Sequence, residues 1–466
     1  MPSPEQQSEL RRAIRISTIE GSFAQAFLSL AAPGSIFLTK FAVLLQATPF
    51  HFSVLAAIGQ LGQVFQLFGV AISRRMTRRR PAVVALSAAG RALPFLFSFL
   101  PFLLSPPVAI WIFLGLAFLS SALMAASANL WVAWIADLVP ISIRGRFFSR
   151  RSQYTVVVGL LCGYLFGAFV DLFSPQPGLL GGWLRSILPF AADLRADHLP
   201  YALAVVFGAG VVLGLVGVGI LSRQPERPKA VEAKHFWTLV AEPLRDGNFR
   251  RLLLYGLWWM LAIGIASPFW GPFMIQKLQM SMVSIQVYGT ISTIATLLAL
   301  RPWGTFIDRF GNKTAMRLAL VLGGLNPLLW VFVTPQHYEI LFLEAATSGI
   351  MWSGAGIVAT NLVLAIAPDR KRQAYSGVFG AFSGLAMMVT MLLSGLFLPP
   401  ALELAGRHLE PEQVLFGLTA LARWSTELPL SWVHEPRARP LRQALAYLVW
   451  TVRVRLAVVW RRLRRR

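Results

Sequence analysis

Long apolar runs follow one another along most of the chain, separated by shorter polar segments, and none shows the strict two-residue alternation of a barrel strand. A bilayer core takes roughly 20 mostly apolar residues per helical crossing, against roughly 9–11 for a tilted strand. On that measure the pattern predicts twelve helical spans, near 17–46, 51–73, 81–104, 108–138, 150–174, 200–222, 249–276, 282–307, 313–333, 337–366, 373–399 and 411–433. The expected fold class is an all-α polytopic membrane protein.

Composition agrees with lipid as the main solvent: 56% of residues are hydrophobic, 14% are charged, and the mean hydropathy is +0.61. A soluble surface needs more charge than that. The net charge of +23 invites a nucleic-acid reading, but the positions of the charges argue against it. Most of the 43 Lys and Arg fall before span 1, in alternate loops and after span 12, as in Arg74 to Arg80, Arg144 to Arg151 and Arg370 to Arg372. The opposite loops and helix ends hold only Lys40, Arg185, Arg195, Lys277 and Arg407. The positive-inside rule then expects an inner-membrane protein with both termini cytoplasmic and an even number of spans. The first 16 residues are polar and span 1 is too long for a signal peptide, so it reads as an uncleaved span. Cys162 is the only cysteine, which excludes an intramolecular disulfide and a thiol metal site.

The second half of the chain repeats the first. Ala32-Pro33 in span 1 corresponds to Ser267-Pro268 in span 7 and Gly69 to Gly304, each about 235 residues apart. Pro94 and Pro327 match in spans 3 and 9, Asn129-Leu130 and Asn361-Leu362 in spans 4 and 10, and Pro225-Glu226 and Glu435-Pro436 end spans 6 and 12. Six spans repeated in one orientation give two bundles related by an axis along the membrane normal, with a cavity between them at mid-depth. The expected units are a cytoplasmic segment 1–16, an N-terminal bundle 17–222, a linker 223–248, a C-terminal bundle 249–433 and a basic tail 434–466. Around His235-Phe236-Trp237 the linker suggests a short helix on the inner leaflet.

The segment Gly304-Thr-Phe-Ile-Asp308-Arg309-Phe-Gly311-Asn312-Lys313 resembles the G-x-x-x-D-R-x-G-N/R-K/R loop between spans 8 and 9 of the major facilitator superfamily, and the resemblance covers roughly 15–437. Its first-half copy keeps Gly69 and Arg74 but has Ser73 for the acid and Met76 for the glycine. The resemblance implies secondary transport by alternating access between two six-helix bundles. It also implies a gate in which Asp308 faces the N-terminal end of span 11, where unpaired N–H groups favour an anion, while Arg309 and Lys313 hold the loop to cytoplasmic partners. The plainer alternative is that Asp308 only solvates a tight loop. The antiporter signature of span 5 would add a Gly-Pro pair to the ridge Gly159, Gly163 and Gly167; the pair is absent, and the ridge reads as close helix packing.

Other residues carry candidate chemistry. Asp137 ends span 4 where the helix dipole disfavours a carboxylate, and Arg144 or Arg146 is the nearest cation in sequence, as a conformational latch or as a static surface pair. Glu344 and Lys40 are ionisable groups within spans, candidates for a coupling proton or a charged group of the solute unless they snorkel to the interface. Arg423 and Glu427 stand at helical pairing distance, which suggests mutual neutralisation, and Arg91 calls for a buried partner. Gln60, Gln63 and Gln66 on span 2, with Asn129 and Asn361, either contact a polar solute or glue helices. Trp270 and Trp352 are the better members of an aromatic cage drawn from Trp258, Trp259, Trp270 and Trp352, against the commoner role of interface anchors. The tail from Leu441 sets Leu445, Leu448, Val452, Leu456, Val459 and Leu463 at helical spacing among arginines, an amphipathic helix for an anionic inner leaflet rather than for nucleic acid.

No phosphate loop, metal-spaced cluster or nucleophile elbow is visible, so ATP drive, a metal or cofactor and an enzyme are not expected. The expectation is a secondary transporter of a small organic solute, with protons as the candidate coupling ion. A non-transporting receptor or scaffold on the same fold is the alternative.

Overall fold

The computed structural model describes residues 4–61, 76–175, 178–187, 194–226, 236–368, 371–404, 406–435, 438–447, 450 and 453. Its helices are α1 Pro4–Ala31, α2 Ile36–Leu44, α3 Pro49–Gly59, α4 Arg80–Ala92, α5 Pro106–Leu138, α6 Ile141–Asp171, α7 Gly178–Ile187, α8 Leu199–Leu221, α9 Phe236–Arg245, α10 Gly247–Gly264, α11 Met282–Phe310, α12 Asn312–Val331, α13 Ile340–Ile366, α14 Arg372–Leu396, α15 Pro411–Ser425 and α16 Glu427–Ser431. A short antiparallel hairpin, β1 Leu402–Leu404 and β2 Arg407–Leu409, interrupts the all-helical pattern between α14 and α15.

Among the described residues, nine helices are long and apolar enough to cross a membrane. They correspond to predicted spans 1, 3 to 6 and 8 to 11, with span 5 beginning at Ile141, ahead of the expected start. The other three fall short for visible reasons. Span 2 is seen as α3, and its continuation from 62 to 75, with Gln63 and Gln66, lies outside the described residues. Span 7 stops at Gly264 and resumes at Trp270, because Pro268 cannot continue the hydrogen-bond ladder. Span 12 is divided between α15 and α16. The matched break in span 1 falls at Pro33-Gly34, where Gly34 takes a φ of +96° that a side chain would resist. Pro94 sits in a 3-10 stretch, Leu93–Phe99, while its counterpart Pro327 stays inside α12. The short helix expected in the linker is α9; the tail beyond Tyr447 falls almost wholly outside the described residues.

We call the face from which α1 enters and at which α16 ends the near face, and the opposite one the far face. At the far face both halves share one apolar core. Phe41, Phe97, Phe113 and Phe207 of the first half belong to the same cluster as Phe273, Trp330 and Phe416 of the second. At the near face the described residues form two separate cores, one around Trp134, Ile135 and Phe147, the other around Phe249, Trp303 and Phe310. Outward-facing side chains such as Leu161, Leu165 and Leu298 are more than half exposed, as lipid contact requires.

Two polar devices secure the halves internally. In the first half Glu20 on α1 is buried and takes a hydrogen bond of 2.7 Å from Arg91 on α4, while Arg151 on α6 lies 3.5 Å from its other oxygen. Arg91 also donates to the Gly214 carbonyl at 2.9 Å, so the partner missing from its own span is supplied from two others. The second device recurs in both halves. The Glu226 carboxylate accepts from the backbone N–H of Arg79 and of Arg80, closing the start of α4. Glu435 does the same for α12, accepting from Asn312 N–H at 3.0 Å and Lys313 N–H at 2.6 Å, with the Asn312 amide adding a bond of 2.8 Å. Each acid meets donors that a helix start otherwise leaves unpaired, on the side of the dipole that favours it.

Arg91→Met strands Glu20 beside Arg151 alone and is expected to lower stability by about 3 kcal/mol, while adding Glu20→Gln recovers part of that loss; thermal unfolding of the purified protein checks both. Glu435→Ala is expected to cost about 1 kcal/mol and to raise hydrogen exchange in the first turn of α12, leaving the start of α4 unchanged.

Candidate functional site

Between α1, α6 and α11, where the two halves meet, lies a cavity of about 420 Å³. Its polar lining comes from Gln25, Ser29, Ser35, Thr155, Gln286 and Thr293, with Gly159 and Gly163 on its floor, and no ionisable side chain lines it. Gln25 donates to Ser29 at 3.3 Å and the Ser35 hydroxyl to the Ser29 carbonyl at 2.5 Å. The ridge of α6 makes room for this. A Cβ on Gly159 would stand 3.2 Å from the Gln25 amide, and one on Gly163 would meet the Gln286 amide at 2.0 Å. Farther along, Gly167 packs on Met282. The ridge is thus a seam that admits amides from one helix of each half.

Beside this seam the second half holds a buried acid. Glu344 on α13 is 3% exposed and accepts from the Tyr288 hydroxyl of α11 at 2.7 Å. Tyr288 packs on Trp330, with ring centroids 5.9 Å apart. Trp330 in turn meets Trp270 at 4.7 Å, and Trp270 stacks on Phe416 at 4.1 Å. Glu344 and Trp270 are therefore brought to opposite sides of one aromatic group. Trp352 is not with them: it packs 6.2 Å from Trp259, and Arg423 lies 5.9 Å from its ring. A cage shared by Trp270 and Trp352 does not form.

The other candidates are dispersed. Lys40, half-buried on α2, is close enough for its charge to act on Asp171 at the end of α6. Gln60 forms the C-terminal cap position of α3, and Gln63 lies outside the described residues. Asn129 donates to the Ala125 carbonyl of its own helix at 2.9 Å, and its counterpart Asn361 is half-buried on α13.

The loop motif stands at the near face. Gly304 sits on α11 with open space where a side chain would lie, and Asp308 and Arg309 are exposed at the end of that helix. Arg309 lies over Tyr447 at 4.1 Å. Gly311 turns the chain with a φ of +85°, and Lys313 donates from its ammonium to the carbonyls of Ser431 at 2.7 Å and Val433 at 2.9 Å. Asp308 has no hydrogen-bond or ion-pair partner among the described residues. The α14 terminus that the resemblance assigns to it begins just after residues 369 and 370, which are not described.

Two sequence expectations are corrected. Asp137 pairs with Arg79, which reaches from the start of α4. Arg144 instead donates to the carbonyls of Ala136 at 2.8 Å and Val139 at 3.1 Å, and Arg146 is exposed. Arg423 and Glu427 do not pair either, because the helix is interrupted at Thr426 between them. Glu427 bonds Arg317 at 2.7 Å, and Arg423 is buried and donates to the Gly323 carbonyl at 3.0 Å. Sequence reasoning also missed Gln25, Ser29, Gln286 and Thr293. Their signal was polar residues about one helical turn or two apart on otherwise apolar helices, readable only once the glycine seam is known to face them.

Residues 252–402 match the family model of the Major Facilitator Superfamily. No curated protein matches the chain. Solved structures share its fold. The nucleoside transporter NupG is 13% identical, with a TM-score of 0.64 over 91% of this chain and 98% of NupG. A D-xylose-proton symporter is 14% identical, with a TM-score of 0.64 over 91% of this chain and 98% of its own. The inward-open xylose transporter XylE from E. coli is 15% identical, with a TM-score of 0.62 over 94% and 99%. The motif loop lies inside the segment that matches the family model, and the chain shares the fold of these transporters over nine-tenths of its length.

Proposed function

We propose that the chain is a secondary transporter that moves a small, uncharged, hydroxyl-rich solute across the inner membrane by alternating access. One observation carries this reading: the halves share a core at the far face and have separate cores at the near face, with a polar cavity where they meet. Packed halves at one face and parted halves at the other are what a molecule open to one side requires. The arginine-rich loops support a cytoplasmic near face against an anionic leaflet, with both termini on that side. The functional units are 17–222 and 249–433, with 1–16, 223–248 and 434–466 as cytoplasmic segment, linker and tail.

Amides and hydroxyls around the cavity suit a solute that offers several donors and acceptors and no charge. The names of two fold neighbours, a nucleoside transporter and a D-xylose-proton symporter, fit solutes of that chemistry. Glu344 is the proposed proton carrier, since a carboxylic acid sealed from lipid beside a mobile seam can exchange a proton when the cavity changes sides. Asp308 is the proposed cytoplasmic gate, docking on the start of α14 when the near face closes. Asp137 with Arg79 holds α4 to α5 on that face.

Reconstituted vesicles test this with labelled xylose and nucleosides under an imposed pH gradient. Uptake driven by the gradient is expected for the unaltered protein. Glu344→Gln is expected to reduce that uptake by about tenfold or more while solute exchange without a gradient persists. Unchanged pH dependence in Glu344→Gln removes its coupling role, and no movement of any solute in the panel favours a receptor or scaffold.

A further inference from the structure

Asp171 is the last residue of α6 and 1% exposed, a position where its own helix dipole opposes a carboxylate. The compensation comes from the other half of the molecule. One oxygen accepts from the Met282 N–H at 2.7 Å and the other from the Val283 N–H at 3.0 Å, at the start of α11. These are donors that a helix start leaves unpaired, and the bonds are charge-assisted. Gly167 and Gly178, packed on Met282 and Ser281, let the two helices approach closely enough. A further hydrogen bond crosses between the halves from Tyr164 to Thr290, at 2.9 Å, deeper along the same pair of helices.

We propose that Asp171 is the outer latch of the molecule, a positioning residue that holds the far face shut by capping a helix of the opposite half. Opening the outer face must pull Asp171 off the start of α11. Lys40 belongs to the same half as Asp171 and travels with it, so the carboxylate keeps a counter-charge when the cap is lost. Without that lysine the carboxylate would be left with neither its helix cap nor a counter-charge. The two residues therefore act in opposite directions on one equilibrium: Asp171 favours the closed outer face, and Lys40 makes the open one tolerable. This rests on the alternating-access reading above.

The test uses the full chain in membrane vesicles with Cys162→Ser as background. Ile285→Cys places a thiol in the shared far core, where Ile285 is 7% exposed, and a membrane-impermeant maleimide is added from outside. Asp171→Ala is expected to speed labelling about tenfold, and Lys40→Gln to slow it. If Asp171→Ala does not fold, Asp171→Asn keeps the volume and is expected to give a smaller rise. A general loss of structure would move both residues' variants the same way, so equal signs, or no change in the aspartate variants, overturn the latch. Spin labels at Ser149→Cys and Thr305→Cys, exposed near the near-face ends of α6 and α11, report the other gate. A shorter distance in the aspartate variant supports reciprocal closure. Faster outer labelling with an unchanged distance retains the latch and overturns alternating access.

Discussion

Lipid is as apolar as a leucine side chain, so two helical bundles gain little from hydrophobicity by staying together in it. What joins them has to be close packing and polar bonds, and here both are concentrated at one face. Aromatic rings from both halves interdigitate there, the glycine seam of α6 brings α11 into contact, and Asp171 bonds across the joint. At the other face, among the described residues, each half packs on itself. The polar cavity and the exposure of Asp308 both follow from this uneven division of contact.

Membrane crossings were the most legible feature of the sequence, because a helix in lipid must satisfy its own backbone and therefore writes its length as an apolar run. The repeat was legible as well, down to the shared breaks after Ala31 and Gly264. Pairings were much less so. Asp137 was matched with cations close in sequence, whereas Arg79 comes from a helix that the repeat places alongside. The Arg423 and Glu427 pair assumed an unbroken helix, and the interruption at Thr426 dissolves it. Glu20 and Asp171 raised no signal, since an acid at a helix end or early in a long span reads as ordinary until its partner is located in three dimensions. Glu344 was marked from its span alone, but its hydroxyl donor Tyr288 required the fold.

The two halves also use their charges unequally. The first half neutralises a buried acid with two arginines, whereas the second places Glu344 against a tyrosine and tryptophans, with Arg423 bonded to a backbone carbonyl instead. The repeat thus supplies one bundle braced by a buried ion triad and one whose buried acid rests on hydroxyl and aromatic neighbours.

The shared core has a further consequence, for how the protein comes apart. Most of its buried far-face aromatics belong to one cluster drawn from both bundles, and the described near-face core residues to two. Cooperative unfolding units follow contiguous packing. The far end should therefore melt as one body, and the near ends should fray independently of each other. The molecule then has a stability gradient along the membrane normal, and each half completes its folding only when the other is present to finish its far-face core.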